Sequence, residues 1–198
     1  IENAGFGDIL TTAPELATGV FSGPVNFADG KITGIEGTLR VNFGDLSSAL
    51  DGFGGFYSIT YADAEVQNQN FNPLPIPGYS DLTWSGDIFY EKNGFRAKLA
   101  ARYRSGFLSE VQNFDGSLSG ANAQSETILD AQIGYTFDKP GSFLNGVGIL
   151  AEVFNLTNEP FVTENVLQNA AGTGPVGTFP SRHELYGRTF QFTVRKSF

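Results

Sequence analysis

The feature that most constrains the fold of this chain is a strict alternation of side-chain type with a period of two residues. It is clearest over residues 95–104, where the odd positions carry Phe, Ala, Leu, Ala and Tyr. The even positions of the same run carry Arg, Lys, Ala, Arg and Arg. Because successive side chains of a β-strand point to opposite faces, this run predicts a strand with one apolar and one strongly basic face.

A second alternating run precedes the first and predicts its hairpin partner. Residues 82–91 alternate Leu, Trp, Gly, Ile and Tyr with Thr, Ser, Asp, Phe and Glu. The tripeptide Lys92-Asn93-Gly94 separates the two runs. Asn-Gly between alternating runs is the strongest short-range signal for a β-hairpin.

Similar alternation recurs along most of the chain, whereas helical periodicity is almost absent. It predicts an all-β fold, an antiparallel up-and-down segment of about seven strands. These strands are predicted at residues 31–43, 55–66, 81–92, 94–105, 125–137, 147–156 and 184–198. Their length exceeds the ~5–6 residues usual in soluble sheets and matches a tilted crossing of a bilayer. We expect the two outermost strands not to pair with each other.

The connections between the predicted strands alternate in length. Shorter ones with turn-forming residues are predicted at 44–54, 92–94 and 138–146. Longer ones rich in Asn, Gly, Ser and Pro are predicted at 67–80, 106–124 and 157–182, and residues 1–30 are predicted to be one more long, irregular segment. Short turns at one end and long loops at the other are typical of outer-membrane barrels.

Alternating strands also build soluble β-sandwiches, whose apolar face is a core and not a lipid surface. Aromatic residues near the short turns favour the membrane, because interfacial girdles of aromatic side chains flank a barrel. These residues are Phe43, Tyr57, Tyr90, Phe95 and Phe137. The residues predicted to face lipid are Tyr57, Ile59, Trp84, Ile88, Leu99, Ile133, Ile149 and Phe192. Those predicted to face inward are Arg40, Asp87, Arg96, Arg102, Asp130 and Glu152.

Composition excludes several other classes of protein. No apolar run approaches the ~20 residues that a membrane helix needs. The chain has 12 basic and 21 acidic residues, which argues against nucleic-acid binding. It has no Cys and a single His, His183, so neither thiol chemistry nor a catalytic triad of the usual kind can be assembled. We therefore expect no catalytic residues, no metal site and no cofactor. Because the chain has no Met, Ile1 is expected to be a processed or truncated end.

Several short motifs resemble parts of TonB-dependent outer-membrane receptors. Three features of this chain resemble the C-terminal end of such receptors. They are Glu152-Val-Phe-Asn-Leu-Thr-Asn-Glu-Pro160, Tyr186-Gly-Arg-Thr-Phe190 and the final Phe198. Another segment of these barrels resembles Pro24-Val-Asn26 followed by Gly30-Lys-Ile-Thr-Gly-Ile-Glu36. The resemblance runs from about residue 24 to the end. It is strongest to the branch found in proteobacteria of the Caulobacter, Sphingomonas and Xanthomonas type.

The resemblance implies a 22-stranded, plugged barrel, of which residues 31–198 would supply the C-terminal strands and residues 1–30 a long extracellular loop or irregular segment. It implies energy passed from the TonB complex, through a TonB box and a plug domain absent from this chain. The short turns would then be periplasmic. One departure is Lys196, which stands where the last strand usually carries an apolar, lipid-facing residue. Such a lysine can snorkel toward the interface.

The function that the resemblance implies is active import of a bulky nutrient across the bacterial outer membrane. The substrate would be a carbohydrate or a metal–siderophore complex, with the branch favouring carbohydrate. Outer-membrane lipid and lipopolysaccharide would surround the barrel. The alternative is a small, self-contained outer-membrane barrel that acts as a passive pore or adhesin. A soluble carbohydrate-binding β-sandwich is a third possibility.

Two groups of residues are candidates for substrate binding. The first is the basic ladder, with Arg96, Arg102 and Arg104 as candidates alongside Lys98. One interpretation is an electropositive wall that contacts an anionic substrate or acidic groups of the plug. The other is the ordinary polarity of a barrel lumen, balanced by Asp87, Glu91, Asp130 and Glu152. The abundance of these carboxylates favours the second interpretation. The second group consists of aromatic residues on long connections, Phe71, Tyr79, Phe107, Phe114, Phe161 and Phe179. They either stack on substrate rings or pack the loops together.

Overall fold

The computed structural model describes residues 30–68, 71–111, 120–168 and 175–197, and this part of the chain is all-β apart from two 3-10 turns at Phe43–Asp45 and Ser48–Leu50. Its strands are β1 (Gly30–Asn42), β2 (Phe53–Asn68), β3 (Phe71–Pro75), β4 (Leu82–Lys92), β5 (Phe95–Arg104), β6 (Phe107–Val111), β7 (Gly120–Ala123), β8 (Glu126–Thr136), β9 (Val147–Phe154), β10 (Phe161–Gln168), β11 (Pro175–Glu184) and β12 (Thr189–Lys196). Within these ranges, no helix has the length and apolar character required to cross a membrane.

The main sheet is an antiparallel meander in the order β1-β2-β4-β5-β8-β9-β12, with β3 paired to the far end of β2. Six of the predicted strands agree with β1, β2, β4, β5, β8 and β9 to within a few residues. In the described part of the chain, β1 and β12 are the edges of this sheet and do not pair with each other, as predicted. The fold is therefore an open antiparallel segment of the kind from which a β-barrel wall is built.

The structure corrects one predicted strand boundary and the description of the long connections. The last strand begins at Thr189 and not at residue 184, because Gly187, with a φ of 80°, interrupts the extended backbone. The connections at 106–124 and 157–182 are not irregular throughout. They contain β6, β7, β10 and β11, which form a second antiparallel sheet in the order β11-β10-β7-β6. Residues 67–80 likewise contain β3. Pairing between distant loops satisfies backbone groups that a single loop leaves open. Of residues 1–30, only Gly30 lies in the described ranges, and it begins β1.

The predicted hairpin at Asn93-Gly94 is confirmed. Asn93 has a φ of 52° and Gly94 a φ of 80°, as expected for the two central residues of a type I′ turn. Gly94 is required for a second reason, because a Cβ built there would lie 2.4 Å from the carbonyl oxygen of Thr136. The turn therefore needs glycine both for its backbone conformation and for its close approach to β8.

Cross-strand pairing separates the side chains of the main sheet into an apolar and a polar face. One row of directly paired positions consists of Ile88, Leu99, Ala131, Val153 and Phe190. The adjacent row on the opposite face consists of Phe89, Lys98, Gln132, Glu152 and Gln191. All residues predicted to face lipid share the apolar face, and all those predicted to face inward share the polar one, so the predicted division into two faces is confirmed.

The apolar face is exposed. Large side chains on it include Ile88, Ile133 and Phe192, which are 58%, 54% and 70% exposed. The buried apolar side chains of the described residues are alanines, namely Ala62, Ala64, Ala121 and Ala123. A β-sandwich would instead bury its large apolar side chains against a facing sheet. This burial pattern is that of a barrel wall with its apolar face toward lipid.

Aromatic side chains on the apolar face form two bands at opposite ends of the strands. Near the short turns, the ring centroids of Tyr90 and Phe95 lie 6.0 Å apart. Near the long connections, Trp84 stacks on Tyr103 at 5.8 Å and lies 6.1 Å from Tyr57, which therefore belongs to this band and not to the one predicted. At about 3.3 Å per residue and a tilt near 40°, the bands are separated by about 15–20 Å along the membrane normal, somewhat less than the apolar height of about 25 Å of a barrel.

Lys196 lies on the apolar face at the last pair of β12, opposite Val147. Its ammonium group reaches the short turn between β8 and β9, where Nζ donates to the carbonyl oxygens of Phe143, at 3.1 Å, and of Asn145. The charge is thereby held at the end of the sheet and away from its apolar middle. This is the snorkelling geometry expected for a lysine at that position.

Candidate functional site

The cations of β5 point to the polar face, and three of the four pair with carboxylates of the neighbouring strands. The ion pairs are Lys98 with Asp87 at 2.9 Å, Arg102 with Asp130 at 3.0 Å and Arg104 with Glu126 at 3.6 Å. The first two are also hydrogen-bond distances, whereas the third is longer than a hydrogen bond. Asp87 and Asp130 were expected to balance the ladder, while Glu126 was not among the carboxylates named for that role. Apart from Arg96, the ladder is therefore a set of cross-strand pairs and not an uncompensated positive wall.

Arg96 differs from the rest of the ladder. Its side chain lies over Gly134, and Arg96 Nε is 3.1 Å from the position that a Cβ atom on residue 134 would occupy. Its Nη2 donates to Thr136 Oγ1 at 3.4 Å, and its buried Nε makes no hydrogen bond within the described residues. Arg96 lies at the short-turn end of β5, so it is separated from Arg102 and Arg104.

A pocket of about 420 Å³ opens on the polar face at the end of the sheet that carries the long connections. This volume lies within the range of small-molecule sites. The pocket is lined by Arg102, Arg104, Glu126, Ile128, Asp130, Phe154, Asn155, Glu159, Phe161, Tyr186, Gly187 and Thr189. Strands β5, β8, β9, β10 and β12 and the link before β12 all contribute to it, so the meander brings together residues that are distant in sequence.

Asn155 organises the turn after β9 that forms part of the pocket wall. It has a φ of 54°, in the left-handed region that Asn tolerates. Its Nδ2 donates to the carbonyl oxygens of Glu159 at 3.1 Å and Gly187 at 3.3 Å, and its Oδ1 accepts from the backbone N–H of Glu159 at 2.8 Å. The backbone N–H of Asn155 donates to Asp130 Oδ1 at 3.0 Å. Through its side chain and its backbone N–H together, Asn155 thus joins three segments of the pocket.

Asp130 is held between two donors. Its Oδ2 accepts from Arg102 Nη2 at 3.0 Å while its Oδ1 accepts from Asn155 N–H. Glu159 is also held, because its Oε1 accepts from the backbone N–H of Thr127 at 3.4 Å. Asp130 and Glu159 are therefore both held by donors from other segments of the pocket.

The loop aromatics predicted for substrate binding occupy different places. Phe161 lines the pocket, and Phe107 lies beside it, with the guanidinium carbon of Arg104 3.9 Å from its ring centroid. This is a cation–π contact. Tyr79 is half-buried and Phe179 is exposed, and neither lines the pocket. Phe114 and the side chain of Phe71 lie outside the described residues.

Of the nine predicted site residues, Arg102, Arg104 and Phe161 come together in the pocket. Sequence reasoning missed Glu126, Asn155, Glu159 and Tyr186. Asn155 and Glu159 belong to the motif at residues 152–160, and Tyr186 begins the motif at residues 186–190, so a signal for them was present. Among the described residues, no group of His, Asp and Glu has the arrangement needed to hold a metal ion.

Tyr186 carries a perturbed hydroxyl group at the edge of the pocket. The phenol donates a hydrogen bond to the carboxylate of Glu184, and this bond raises the pKa of Tyr186 above its usual value. The residue lies in the link between β11 and β12 and is exposed. The neutral phenol is therefore the form that the site favours.

An antiparallel sheet with an apolar outer face, a polar inner face and two aromatic bands defines this protein as a segment of an outer-membrane β-barrel. The chain matches the family described as TonB dependent receptor-like, beta-barrel, over residues 5–156. It belongs to this family, whose members lie in the bacterial outer membrane and are transporters and not enzymes. The match begins before residue 24 and ends before the motif at residues 186–190. No curated protein and no solved structure matches the chain.

Proposed function

We propose that this chain forms the C-terminal strands of a barrel that imports a bulky nutrient, a carbohydrate or a metal–siderophore complex, by TonB-dependent active transport. The observation that carries the proposal is the pocket on the inner face, where Arg102, Arg104 and Phe161 meet. Concave sites with a few fixed polar groups are typical of ligand binding, whereas a passive pore needs no such site.

Within this proposal, the substrate enters from the side of the long connections. Residues 31–198 supply the barrel strands, residues 1–30 form an extracellular or irregular segment, and the short turns face the periplasm. A plug domain relays energy from the TonB complex, and lipopolysaccharide surrounds the outer end. The taxonomic branch suggested by the motifs favours a carbohydrate.

The substrate contacts that we propose fall into two groups. Arg102, Arg104 and Phe161 contact the substrate in the pocket, and Phe107 holds Arg104 in place through its ring. Of the remaining candidates, the aromatic ones contact the substrate on the long connections, before it reaches the pocket; they are Phe71, Tyr79, Phe114 and Phe179. Arg96 contacts it further along the lumen, toward the short turns.

Uptake by whole cells tests this function. Cells that express the native protein are given labelled oligosaccharides or labelled ferric siderophore, with the inner-membrane energy system intact or deleted. The proposal expects uptake that requires the energy system. Uptake at the full rate without energy would make the protein a passive channel, and surface binding without uptake would make it an adhesin.

A further inference from the structure

Both arginines that line the pocket are paired with carboxylates of the same lining. Arg102 pairs with Asp130 and Arg104 with Glu126, while Glu159 is held by a backbone N–H. Two arginines and three carboxylates give the lining a formal charge of −1, because Glu159 pairs with neither arginine. An anionic ligand would have to displace a carboxylate from its arginine, and displacing a partner from a charge pair is costly.

A cationic ligand meets the same difficulty. Each carboxylate of the lining already faces a donor, since Asp130 accepts from both Arg102 and Asn155. A cation at Asp130 would have to compete with both of these donors, each at 3.0 Å. The pocket therefore disfavours an anionic ligand, and its most tightly held carboxylate, Asp130, is not a free site for a cation.

The paired groups keep unused hydrogen-bonding capacity. A guanidinium group has five N–H donors and a carboxylate about four lone-pair sites, of which each ion pair uses only some. The side chain of Arg102 is 61% exposed, so N–H groups that do not face Asp130 remain accessible to a ligand. A hydroxyl group both donates and accepts, so it can bind between a fixed donor and a fixed acceptor.

Apolar surface accompanies these polar groups. Phe154, Phe161 and Tyr186 line the same pocket. A sugar ring presents hydroxyl groups around its rim and C–H groups on its faces, and aromatic side chains provide surface for the latter. Fixed, paired hydrogen-bonding groups beside aromatic side chains are complementary to this chemistry.

From these observations we infer that the pocket binds an uncharged, polyhydroxylated part of the substrate, the chemistry of a neutral carbohydrate. The inference rests on the proposed import function and names the substrate class for its site. Asp130 is the central residue, because it fixes Arg102 and the turn at Asn155 together. Phe161 and Arg102 contact the ligand directly.

The test measures binding to the purified native protein in detergent by calorimetry. Three probes are used: a mixture of malto-, cello- and xylo-oligosaccharides, oligogalacturonate as a carboxylated counterpart, and a ferric catecholate siderophore. Asp130→Asn removes the charge that pairs with Arg102 and that accepts from the backbone N–H of Asn155. Asp87→Asn is the matched control, because Asp87 is also a carboxylate paired across strands on the inner face, with Lys98, but lies outside the pocket.

We expect the neutral oligosaccharides to bind and the two charged probes not to bind. Asp130→Asn should weaken neutral binding about 10- to 100-fold, the effect of losing a hydrogen bond to a charged group, and Asp87→Asn should leave it unchanged. Should Asp130→Asn fail to assemble, Arg102→Gln serves in its place, since this side chain is mostly exposed and Asp130 keeps its bond to Asn155.

Preferential binding of oligogalacturonate or of the siderophore would overturn the inference. If that probe is also imported in an energy-dependent way, the transport function stands and only the substrate class is wrong. Energy-dependent import of none of the probes would count against both. Neutral binding that Asp87→Asn and Asp130→Asn weaken equally would overturn the assignment of the pocket.

Discussion

Asn155 shows how a single residue can set the shape of the pocket. Its left-handed backbone turns the chain after β9, and its side chain then closes hydrogen bonds to Glu159 and Gly187. These bonds fix the link before β12 against the end of β9. The position of Tyr186, next to Gly187, therefore depends on a side chain more than thirty residues away.

Replacing Asn155 separates its two roles. Asn155→Ala loses the side-chain bonds and adds left-handed strain, so it should lower the free energy of unfolding by roughly 2–4 kcal/mol. Asn155→Gly loses the same bonds without the strain and should cost about 1–2 kcal/mol less than the alanine variant. The measurement is the heat-induced gel shift of the detergent-solubilised protein. Equal stability of the two variants would contradict a strained conformation at this position.

The hydrogen bond from Tyr186 to Glu184 gives a pH dependence. Because the bond favours the neutral phenol, its stabilising effect is present below the ordinary tyrosine pKa and is lost as the pH rises through the raised folded-state pKa. In Glu184→Gln the pKa of Tyr186 should fall toward its ordinary value of about 10. NMR titration of labelled tyrosine checks this, with Tyr186→Phe identifying the signal among the seven tyrosines. An unchanged titration in Glu184→Gln would contradict the role of the carboxylate.

At the same scale, the sequence predicted some of the site and not the rest. Arg102 and Arg104 were predictable because alternation within one strand places both on one face. Glu126 and Glu159 were not, because their roles depend on register between strands and on a turn. Phe161 was found among six loop aromatics, but its sequence context did not distinguish it from Tyr79 or Phe179.

At the scale of the elements, the hairpin between β4 and β5 depends on Gly94. Gly94→Ala combines left-handed strain of about 1–2 kcal/mol with a clash against the Thr136 carbonyl oxygen. Gly141→Ala is the matched control, because Gly141 has a φ of 79° in another short turn, and a Cβ there would meet nothing within 4 Å. We expect the first variant to be clearly less stable in the gel-shift assay. Equal destabilisation by the two variants would show that the clash with the Thr136 carbonyl oxygen does not contribute to the loss of stability.

An arginine introduced on the apolar face of β5 should destabilise the protein, whereas one introduced on the polar face should not. Leu99→Arg places a charge in the middle of the apolar face and should cost about 2–4 kcal/mol. Ala100→Arg places it on the inner face, between Asp87 and Asp130 in register, and should be tolerated. The amount of folded protein in the outer membrane is the measurement. Similar losses for both variants would contradict the assignment of the faces.

Strands of the main sheet were predictable from sequence because each has one apolar and one polar face. Strand β10 was not, because its residues mix the two types on both faces, as in Phe161-Val-Thr-Glu-Asn165. It is extended because it pairs with β7 and β11, segments distant in sequence. Such pairing between loops leaves no periodic pattern that a local reading can detect.

At the scale of the whole molecule, the described sheet has two edges, β1 and β12, and an exposed apolar face. Unpaired backbone groups cannot face hydrocarbon, so such edges require further strands as partners in a membrane. Membership of the TonB-dependent receptor family accounts for this, because its barrels close without an edge. The pocket and the second sheet then lie together at one end of the wall, where long connections meet.

The measurement that tests the account most directly is thiol labelling along β5, and the absence of cysteine from the chain makes each introduced cysteine unique within it. Single cysteines are placed at successive positions from Ala97 to Arg102 in the native protein, inserted in lipid vesicles, and treated with a water-soluble maleimide. The account predicts labelling at Lys98, Ala100 and Arg102 and protection at Ala97, Leu99 and Ala101. Uniform labelling, or labelling with the opposite alternation, would contradict a barrel wall with these two faces.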